Sequence, residues 1–199
     1  MSSSAAERAQ THSDIAQFVP AKQRVATRVD ADITGDGVAD TIFVTLNEAD
    51  FEATVTVLMK LHGKPLSGQG RMEGFQSVDS LKLDLTPHGP PTLAVKNNVL
   101  VVESVTGGNT VRTAATYRYR FDADEGRMRL IGIDAERTAS TNAIKLSWNL
   151  LTGVRIVRRG KRDPAVFIYG PETKSVQKSE KVWMSSGPSA DDLIDQLVR

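Results

Sequence analysis

Apolar and polar residues alternate along most of this chain from about residue 24 onward, which is typical of β-strands with one buried face. The clearest run contains Ile144, Leu146, Trp148 and Leu150, where every second residue is apolar. Strands are expected at residues 25–29, 41–46, 53–61, 78–85, 92–95, 99–105, 116–121, 127–133, 144–150, 154–157 and 165–169, with a further short one at 182–184. Short turn segments separate these strands, so the pattern predicts antiparallel hairpins.

Turn residues mark one of these hairpins directly. Asn97 and Asn98 separate two apolar runs, and asparagine tolerates the positive φ angles of a tight hairpin turn. In contrast, residues 87–91 (PHGPP) are expected to form a loop, because proline cannot donate a hydrogen bond to a sheet. The predicted fold class is mainly β: an antiparallel, hairpin-built sandwich or a propeller-like sheet, with short terminal helices.

The two ends of the chain differ from the strand-rich middle. Residues 5–18 match a helical period poorly, so residues 1–22 are interpreted as a tail or a loosely docked short helix. Residues 189–199 predict a helix, with Ser189 as its N-cap and Asp191 and Asp192 in the positive first turn. Residues 23–199 are therefore expected to form a single β-rich domain that ends in a C-terminal helix.

Composition narrows the possible functions. The 199 residues are 40% hydrophobic, with a net charge of +1, so a core is expected, whereas nucleic acid is not expected as a partner. Apolar runs stay below the roughly 18 residues of a membrane span. The absence of cysteine excludes disulfides and thiol chemistry, and the three histidines lie far apart in sequence. A binding protein is therefore predicted rather than an enzyme.

One segment has the composition of a metal site. Residues 32–40 read DITGDGVAD and place oxygen-bearing side chains at the first, third, fifth and ninth positions. Ca²⁺ takes about six to eight oxygen ligands, and a glycine at the sixth position, here Gly37, permits the sharp turn of such a loop. The predicted ligands are the carboxylates of Asp32, Asp36 and Asp40, the hydroxyl of Thr34 and the backbone carbonyl of Val38, with Asp30 contributing through water.

This loop departs from an EF-hand, because Phe43 stands at its twelfth position and strands flank it on both sides. A strand, a D-x-T-G-D-G-x-x-D loop and a second strand resemble the calcium loops of FG-GAP and VCBS-type β-proteins. An alternative is a hairpin turn that aspartate side chains close without metal. If metal binds, a structural role is expected, since no nucleophile or general base stands beside the loop.

A second resemblance covers roughly residues 24–159. The matching segments are 32–40, 99–103, 106–108, 117–121, 130–134 and 147–153. Together they resemble a family of bacterial periplasmic proteins that includes calcium-binding lysozyme inhibitors and immunity proteins against peptidoglycan-cleaving effectors. The resemblance implies a periplasmic location, although residues 1–10 show no signal peptide. It also implies a protein partner, in particular a peptidoglycan hydrolase.

No inhibitory loop transfers residue by residue from these inhibitors, which insert a Ser-Gly-x-x-Tyr-like loop into the enzyme cleft. The nearest segments here are residues 106–110, which lack the serine and the tyrosine, and Ser186 with Gly187, which lack the tyrosine.

Other side chains are interpreted mainly as structural. An arginine ladder and a basic run are expected on solvated strand faces and at a hairpin end, respectively. Trp148 and Trp183 are expected in the core or at an interface rim, and Asp134 with Glu136 at a strand end. The ladder comprises Arg112, Arg118, Arg120, Arg127 and Arg129, and the run comprises Arg155, Arg158, Arg159, Lys161 and Arg162.

The leading hypothesis is an exported calcium-binding β-protein that acts as a protein-binding or inhibitory module. Two alternatives stay open. One is a hydrolase of unknown substrate whose carboxylates only the fold brings together, and the other is a structural interaction protein stabilised by calcium.

Overall fold

The computed structural model of this chain describes residues 13–62, 73–84, 88–164 and 166–198. Its strands are β1 (Arg24–Ala31), β2 (Asp40–Asn47), β3 (Glu52–His62), β4 (Glu73–Asp84), β5 (Thr92–Lys96), β6 (Val99–Gly107), β7 (Val111–Asp122), β8 (Arg127–Ala139), β9 (Asn142–Asn149), β10 (Val154–Asp163), β11 (Val166–Tyr169) and β12 (Thr173–Val176). Two 3₁₀ turns, Ser13–Phe18 and Met184–Ser186, and one helix, α1 (Ala190–Val198), accompany them.

The strands form two antiparallel sheets. A small sheet has the order β1-β2-β3-β4, and a large sheet runs from β5 through β6, β7, β8, β9 and β10 to β11, with β12 also paired to β10. The two sheets share one hydrophobic core and do not close into a barrel. The predicted fold class is confirmed as mainly β and antiparallel, with a short C-terminal helix, and of the two predicted architectures it resembles the sandwich.

Alternation along each strand decides which side chains enter that core. Tyr117 and Tyr119 on β7 are buried on the inner face of the large sheet, where their rings stack 6.3 Å apart. Arg120 lies on the opposite, outer face and is exposed. Ile42 and Val44 on β2 reach the same core from the small sheet. The alternation of aromatic residues and arginines therefore separates the two faces as the sequence predicts.

The small sheet is covered on its second face as well. Ile15, in the first 3₁₀ turn, is fully buried against Phe43 and Leu58. The carboxylate of Asp14 accepts two hydrogen bonds from the Arg28 guanidinium on β1, at 2.8 and 2.9 Å. Residues 13–18 are thus held against the sheet, while the first part of the predicted helix, residues 5–12, lies outside the described residues.

Helix α1 packs on the inner face of the large sheet through Leu193 and Ile194. Its predicted N-cap is confirmed: the Ser189 hydroxyl oxygen accepts a 3.0 Å hydrogen bond from the backbone N–H of Asp192. The Tyr117 hydroxyl oxygen accepts a further bond, at 2.9 Å, from the N–H of Ala190. The start of the helix is therefore tied both to its own cap and to β7.

Other local predictions need correction. The basic run does not lie in a turn, because residues 154–163 form β10. Trp183 makes an isolated bridge to Arg129 and is followed by a 3₁₀ turn rather than a strand. Strand β12 has no counterpart among the expected strands. Residues 63–72, between β3 and β4, lie outside the described part of the chain, as do residues 85–87, Ala165 and Arg199.

Within the described residues, no helix has both the length and the apolar character needed to cross a membrane.

Candidate functional site

The predicted calcium loop connects β1 to β2, at the side of the small sheet that lies beside β5. Gly35 and Gly37 both have a φ of 83°, a left-handed conformation in which a side chain would be strained. The Asn98 side-chain amide, in the turn between β5 and β6, donates a 3.0 Å hydrogen bond to the carbonyl oxygen of Asp32. Side chains from both sheets therefore fix the shape of the loop.

Asp32 organises the first half of the loop. Its Oδ1 accepts a hydrogen bond from the backbone N–H of Gly35 at 2.6 Å, and its Oδ2 accepts one from Gly37 at 2.9 Å. A carboxylate oxygen has about two lone-pair directions, so each oxygen retains capacity for a cation. Asp32 therefore fits the role of a ligand at the first position.

Asp40 has different surroundings, because its side chain is fully buried. Its Oδ2 accepts hydrogen bonds from the backbone N–H groups of Ile33 and Thr34, at 3.1 and 3.2 Å, and from the Thr34 hydroxyl at 3.2 Å. Its Oδ1 accepts a fourth, at 3.0 Å, from the N–H of Lys60 on β3. With three donors on one oxygen, Asp40 fixes the backbone of the loop and has little capacity left there for a metal ion.

Thr34 and Asp36, two further predicted ligands, have free acceptor capacity, whereas Asp30 does not face the loop in the same way. Thr34 donates its hydroxyl proton to Asp40, which leaves the oxygen lone pairs of Thr34 available. Asp36 is exposed, and its Oδ1 accepts a 2.9 Å hydrogen bond from the N–H of Val38. Asp30 is held elsewhere, since its carboxylate accepts from the Thr41 hydroxyl at 2.6 Å and pairs with Arg28.

Taken together, the donor set fits Ca²⁺ at Asp32, Thr34, Asp36 and the carbonyl of Val38, while Asp40 supports the loop. In the described residues no three acidic, histidine or cysteine side chains converge as a metal-holding group. Two of the expected ligands, the Thr34 hydroxyl and the Val38 backbone carbonyl, are not acidic, histidine or cysteine side chains, so they do not count toward such a cluster. Calcium binding, and the alternative of a turn closed by aspartates alone, both stay predictions.

A second candidate site lies on the outer face of the large sheet. There Glu103, Asp134 and Glu136 line a cavity of about 480 Å³. The fold thus places Asp134 and Glu136 two positions apart on one face of β8, pointing to the same side. Each of these two carboxylates forms an ion pair: Asp134 lies 2.6 Å from an Arg118 nitrogen, and Glu136 lies 3.6 Å from Lys145 Nζ.

Tyr169 closes one end of this carboxylate cluster, since its hydroxyl donates a short hydrogen bond to Glu136. Burial and the adjacent Glu136 carboxylate raise the pKa of Tyr169, so the phenol keeps its proton. Lys145 Nζ also lies 4.3 Å from the centre of the Tyr169 ring. Glu136, Lys145 and Tyr169 thus contact one another, and Asp134 pairs with Arg118.

The third candidate is the open edge of the large sheet. Strand β12 pairs with the first half of β10 and β11 with the second half, so residues 166–176 border the whole strand. Val166, Ile168 and Val176 on this edge are 62%, 58% and 66% exposed, a high fraction for aliphatic side chains. The sequence alone does not reveal this edge, because the exposure of a strand depends on the order of the strands in the sheet.

The two tryptophans and the arginine ladder have mainly structural surroundings. Trp148 is buried, with the Arg155 guanidinium 5.7 Å from its ring centre, and Trp183 lies half-buried under Arg127 at 4.9 Å. In the arginine ladder, Arg112 and Arg120 are exposed, whereas Arg118 is in an ion pair. The ladder is therefore not a uniform cationic surface.

We compared the chain with protein-family models, with curated proteins and with solved structures, and none of them matches it.

Proposed function

We propose that this protein is an exported, calcium-binding β-protein that acts by binding another protein. The observation that carries the proposal is the open edge of the large sheet, residues 166–176, with its exposed Val166, Ile168 and Val176. An edge strand offers unpaired backbone groups to an added strand, and exposed aliphatic side chains add apolar contacts to it.

The hydrogen bonds around β10 show which backbone groups face outward. The N–H of Gly170 donates to the carbonyl of Arg159, and that of Gln177 donates to Gly153, so these two residues point inward to β10. Antiparallel strands alternate inward- and outward-directed residues. The N–H and C=O groups that point away from the sheet therefore belong to Phe167, Tyr169, Lys174 and Val176.

Charge favours an acidic partner. Residues 154–178 carry seven lysines and arginines against two acidic residues, Asp163 and Glu172, in a chain whose net charge is only +1. Glycoside hydrolases that cleave peptidoglycan use a pair of carboxylates in their cleft. A cationic edge complements such a cleft, which agrees with the peptidoglycan hydrolase that the sequence resemblance implies.

In this proposal, Ca²⁺ has a structural role and does not contact the partner. The loop at residues 32–40 lies beside β5, at the opposite border of the large sheet from β11 and β12. A cation there stabilises the contact between the two sheets without touching the partner. Ca²⁺ thus acts as a structural ligand of the folded module.

The test measures hydrolysis of a peptidoglycan suspension by lysozyme in the presence of this protein. Inhibition is expected, and the double substitution Ile168→Asp with Val176→Asp is expected to weaken it by at least about tenfold, because it removes apolar contacts and adds repulsion from an acidic partner. Phe51→Asp is the matched control, since Phe51 is 69% exposed at the turn after β2, on the small sheet.

Two results would contradict the proposal. One is an absence of inhibition by the wild-type protein at micromolar concentration. The other is a stable dimer of this chain in light scattering that the double substitution dissociates, because the edge would then be occupied by a second copy.

A second candidate function rests on the outer-face cavity, where Asp134 and Glu136 stand side by side as the carboxylates of a hydrolase would. It predicts hydrolysis of peptidoglycan by this protein alone, lost in Asp134→Asn. The ion pairs to Arg118 and Lys145 favour binding over catalysis here.

A further inference from the structure

A polar cavity of about 340 Å³ opens at one end of the large sheet, beside the β6–β7 and β8–β9 turns. Asn109 and Thr110 come from the turn between β6 and β7, and Ser140 comes from the turn between β8 and β9. Arg162, near the end of β10, and His88, ahead of β5, complete the rim with Arg112 on β7. Hydroxyl, amide and guanidinium groups line the cavity, and none of its lining residues within the described part of the chain carries a carboxylate.

The two arginines carry positive charge that the protein itself does not neutralise. Among the described residues, no carboxylate forms an ion pair with Arg112 or Arg162, whereas Arg28, Arg118 and Arg137 each have at least one such partner. Asp163 follows Arg162 directly, but neighbouring residues of a strand point to opposite faces. The guanidinium of Arg162 instead lies 5.9 Å from the Phe167 ring, which restricts its position.

The rim is held rigidly by the turn between β6 and β7. Gly107 has a φ of 87°, and a Cβ atom there would lie 2.2 Å from the carbonyl oxygen of Val111, so only glycine fits. The N–H of Gly108 donates a 2.8 Å hydrogen bond to the same carbonyl. The conformation of Gly107 and this hydrogen bond thus define the backbone of the turn that carries Asn109 and Thr110 beside Arg112.

We propose that this cavity binds a small dianionic oxyanion, either a phosphate monoester or a dicarboxylate. Guanidinium groups bind both through paired N–H donors, and the surrounding hydroxyl and amide groups supply further donors. The volume lies at the lower end of small-molecule sites, about 300–1,000 Å³, which favours a small organic anion over an extended one. Phe167 lines the cavity and also belongs to the edge strand β11, but the anion site does not use the outward backbone groups of that edge and goes beyond the proposed protein binding.

The experiment titrates glycerol 3-phosphate and succinate into the full chain at low salt and follows backbone amide signals by NMR. Shifts are expected at Asn109, Thr110 and Ser140. Arg112→Gln and Arg162→Gln are each expected to weaken binding by about tenfold, because each removes charge-assisted hydrogen bonds. Arg120→Gln is the matched control: it removes the same charge from the same face of β7, outside the cavity.

Tighter binding of glycerol 3-phosphate assigns the site to phosphate esters, and tighter binding of succinate assigns it to dicarboxylates. The proposal is overturned if neither probe shifts these amide signals at 10-fold molar excess or above, up to about 10 mM. At about 10 mM, a probe occupies most of even a weak site with a dissociation constant of about 1 mM. It is also overturned if Arg120→Gln weakens binding as much as Arg112→Gln, since the effect would then reflect overall charge. Neither result bears on inhibition of lysozyme, so the two proposals fail separately.

Discussion

Asp36 and Asp40 lie in one short loop, yet their carboxylates have opposite surroundings. Asp36 is exposed and accepts one backbone hydrogen bond, whereas Asp40 is fully buried and accepts four. An exposed carboxylate with free lone pairs suits a cation, and a buried one with four donors suits structural support. The two side chains should therefore respond differently to the same substitution.

Asp36→Ala tests the metal ligand. If the loop binds Ca²⁺ with a dissociation constant of about 0.1 mM, then about 1 mM Ca²⁺ stabilises the fold by RT ln(11), about 1.4 kcal/mol. The melting temperature of the wild type should rise by about 3–5 °C. Asp36→Ala should melt at one temperature with Ca²⁺ and with chelator, and equal melting of the wild type in both conditions would exclude the calcium site.

Asp40→Ala tests the structural support, with all measurements made in chelator. Removing this carboxylate leaves the buried N–H of Ile33 and those of Thr34 and Lys60 without acceptors, so the free energy of unfolding should fall by about 3 kcal/mol. Urea denaturation measures the change. Asp36→Ala, which exposes nothing buried, should differ from the wild type by less than about 0.5 kcal/mol under the same conditions.

Sequence reasoning identified this loop because aspartate and glycine occur at fixed spacing within nine residues. It did not separate the roles of Asp36 and Asp40. The fourth donor to Asp40 is the N–H of Lys60, twenty positions away on β3, and only strand pairing brings it there. The spacing of residues within the loop cannot predict a hydrogen-bond donor that belongs to a distant strand.

Helix α1 is attached to the large sheet partly through charged side chains. The Asp191 carboxylate accepts hydrogen bonds from the hydroxyls of Thr106 and Thr113, at 2.7 and 2.6 Å, and from the Arg137 guanidinium at 2.6 Å. Partial burial acts to raise the pKa of Asp191, but the hydrogen bonds outweigh it and hold that pKa below the ordinary 3.8. The ionised carboxylate therefore anchors the helix to β6, β7 and β8.

The lowered pKa predicts how the stability contribution of Asp191 changes with pH. Because its pKa is lower in the folded state than in the unfolded state, the contribution is complete above about pH 4 and is lost as pH falls through the folded value. Asp191→Asn should melt below the wild type at pH 6, and the difference should shrink below pH 4. A difference that stays constant down to pH 2 would contradict this assignment.

A second prediction concerns the start of the same helix. Tyr117→Phe removes the acceptor of the buried N–H of Ala190 and should lower the free energy of unfolding by about 1–2 kcal/mol. Burial raises the pKa of Tyr117 to about 12, so the phenol stays protonated through ordinary alkaline conditions. Chemical denaturation gives the stability change, and an unchanged midpoint would show that water replaces the hydroxyl.

The helix itself was predictable, because Ser189 and the two aspartates form a local N-terminal pattern. The sequence placed Asp191 in the positive first turn of the helix. The structure shows that its carboxylate also joins three strands through Thr106, Thr113 and Arg137. This long-range role was not predictable, since those residues precede it by 54 to 85 positions.

At the scale of the whole molecule, the near-zero net charge conceals a cationic border along β10, β11 and β12. Strand alternation predicted the class, but it did not decide between a sandwich and a propeller-like sheet. That choice depends on how the small sheet packs against the large one, which local patterns do not encode. The open edge and the proposed oxyanion cavity also depend on the order and packing of the strands, so they could not be predicted from the sequence.

Two features of the open edge disfavour its pairing with another copy of the chain. Pro171 lies between β11 and β12, where the pairing with β10 slips by one residue, and Lys174 faces outward on β12. Proline and lysine both disfavour edge-to-edge association. Combining Pro171→Val with Lys174→Val should therefore produce dimers or larger species in size-exclusion chromatography with light scattering, and a monomeric double variant would refute this role.

The hydrogen bond from Asn98 to Asp32 joins residues 66 positions apart, and it has a consequence for folding kinetics. Contacts between distant residues tend to form late, because closing a long loop is entropically unfavourable. If the loop binds Ca²⁺ as proposed and this hydrogen bond is absent from the folding transition state, bound Ca²⁺ stabilises the native state but not the transition state. Calcium should slow unfolding while leaving the refolding rate almost unchanged, so the ion prolongs the lifetime of the folded protein.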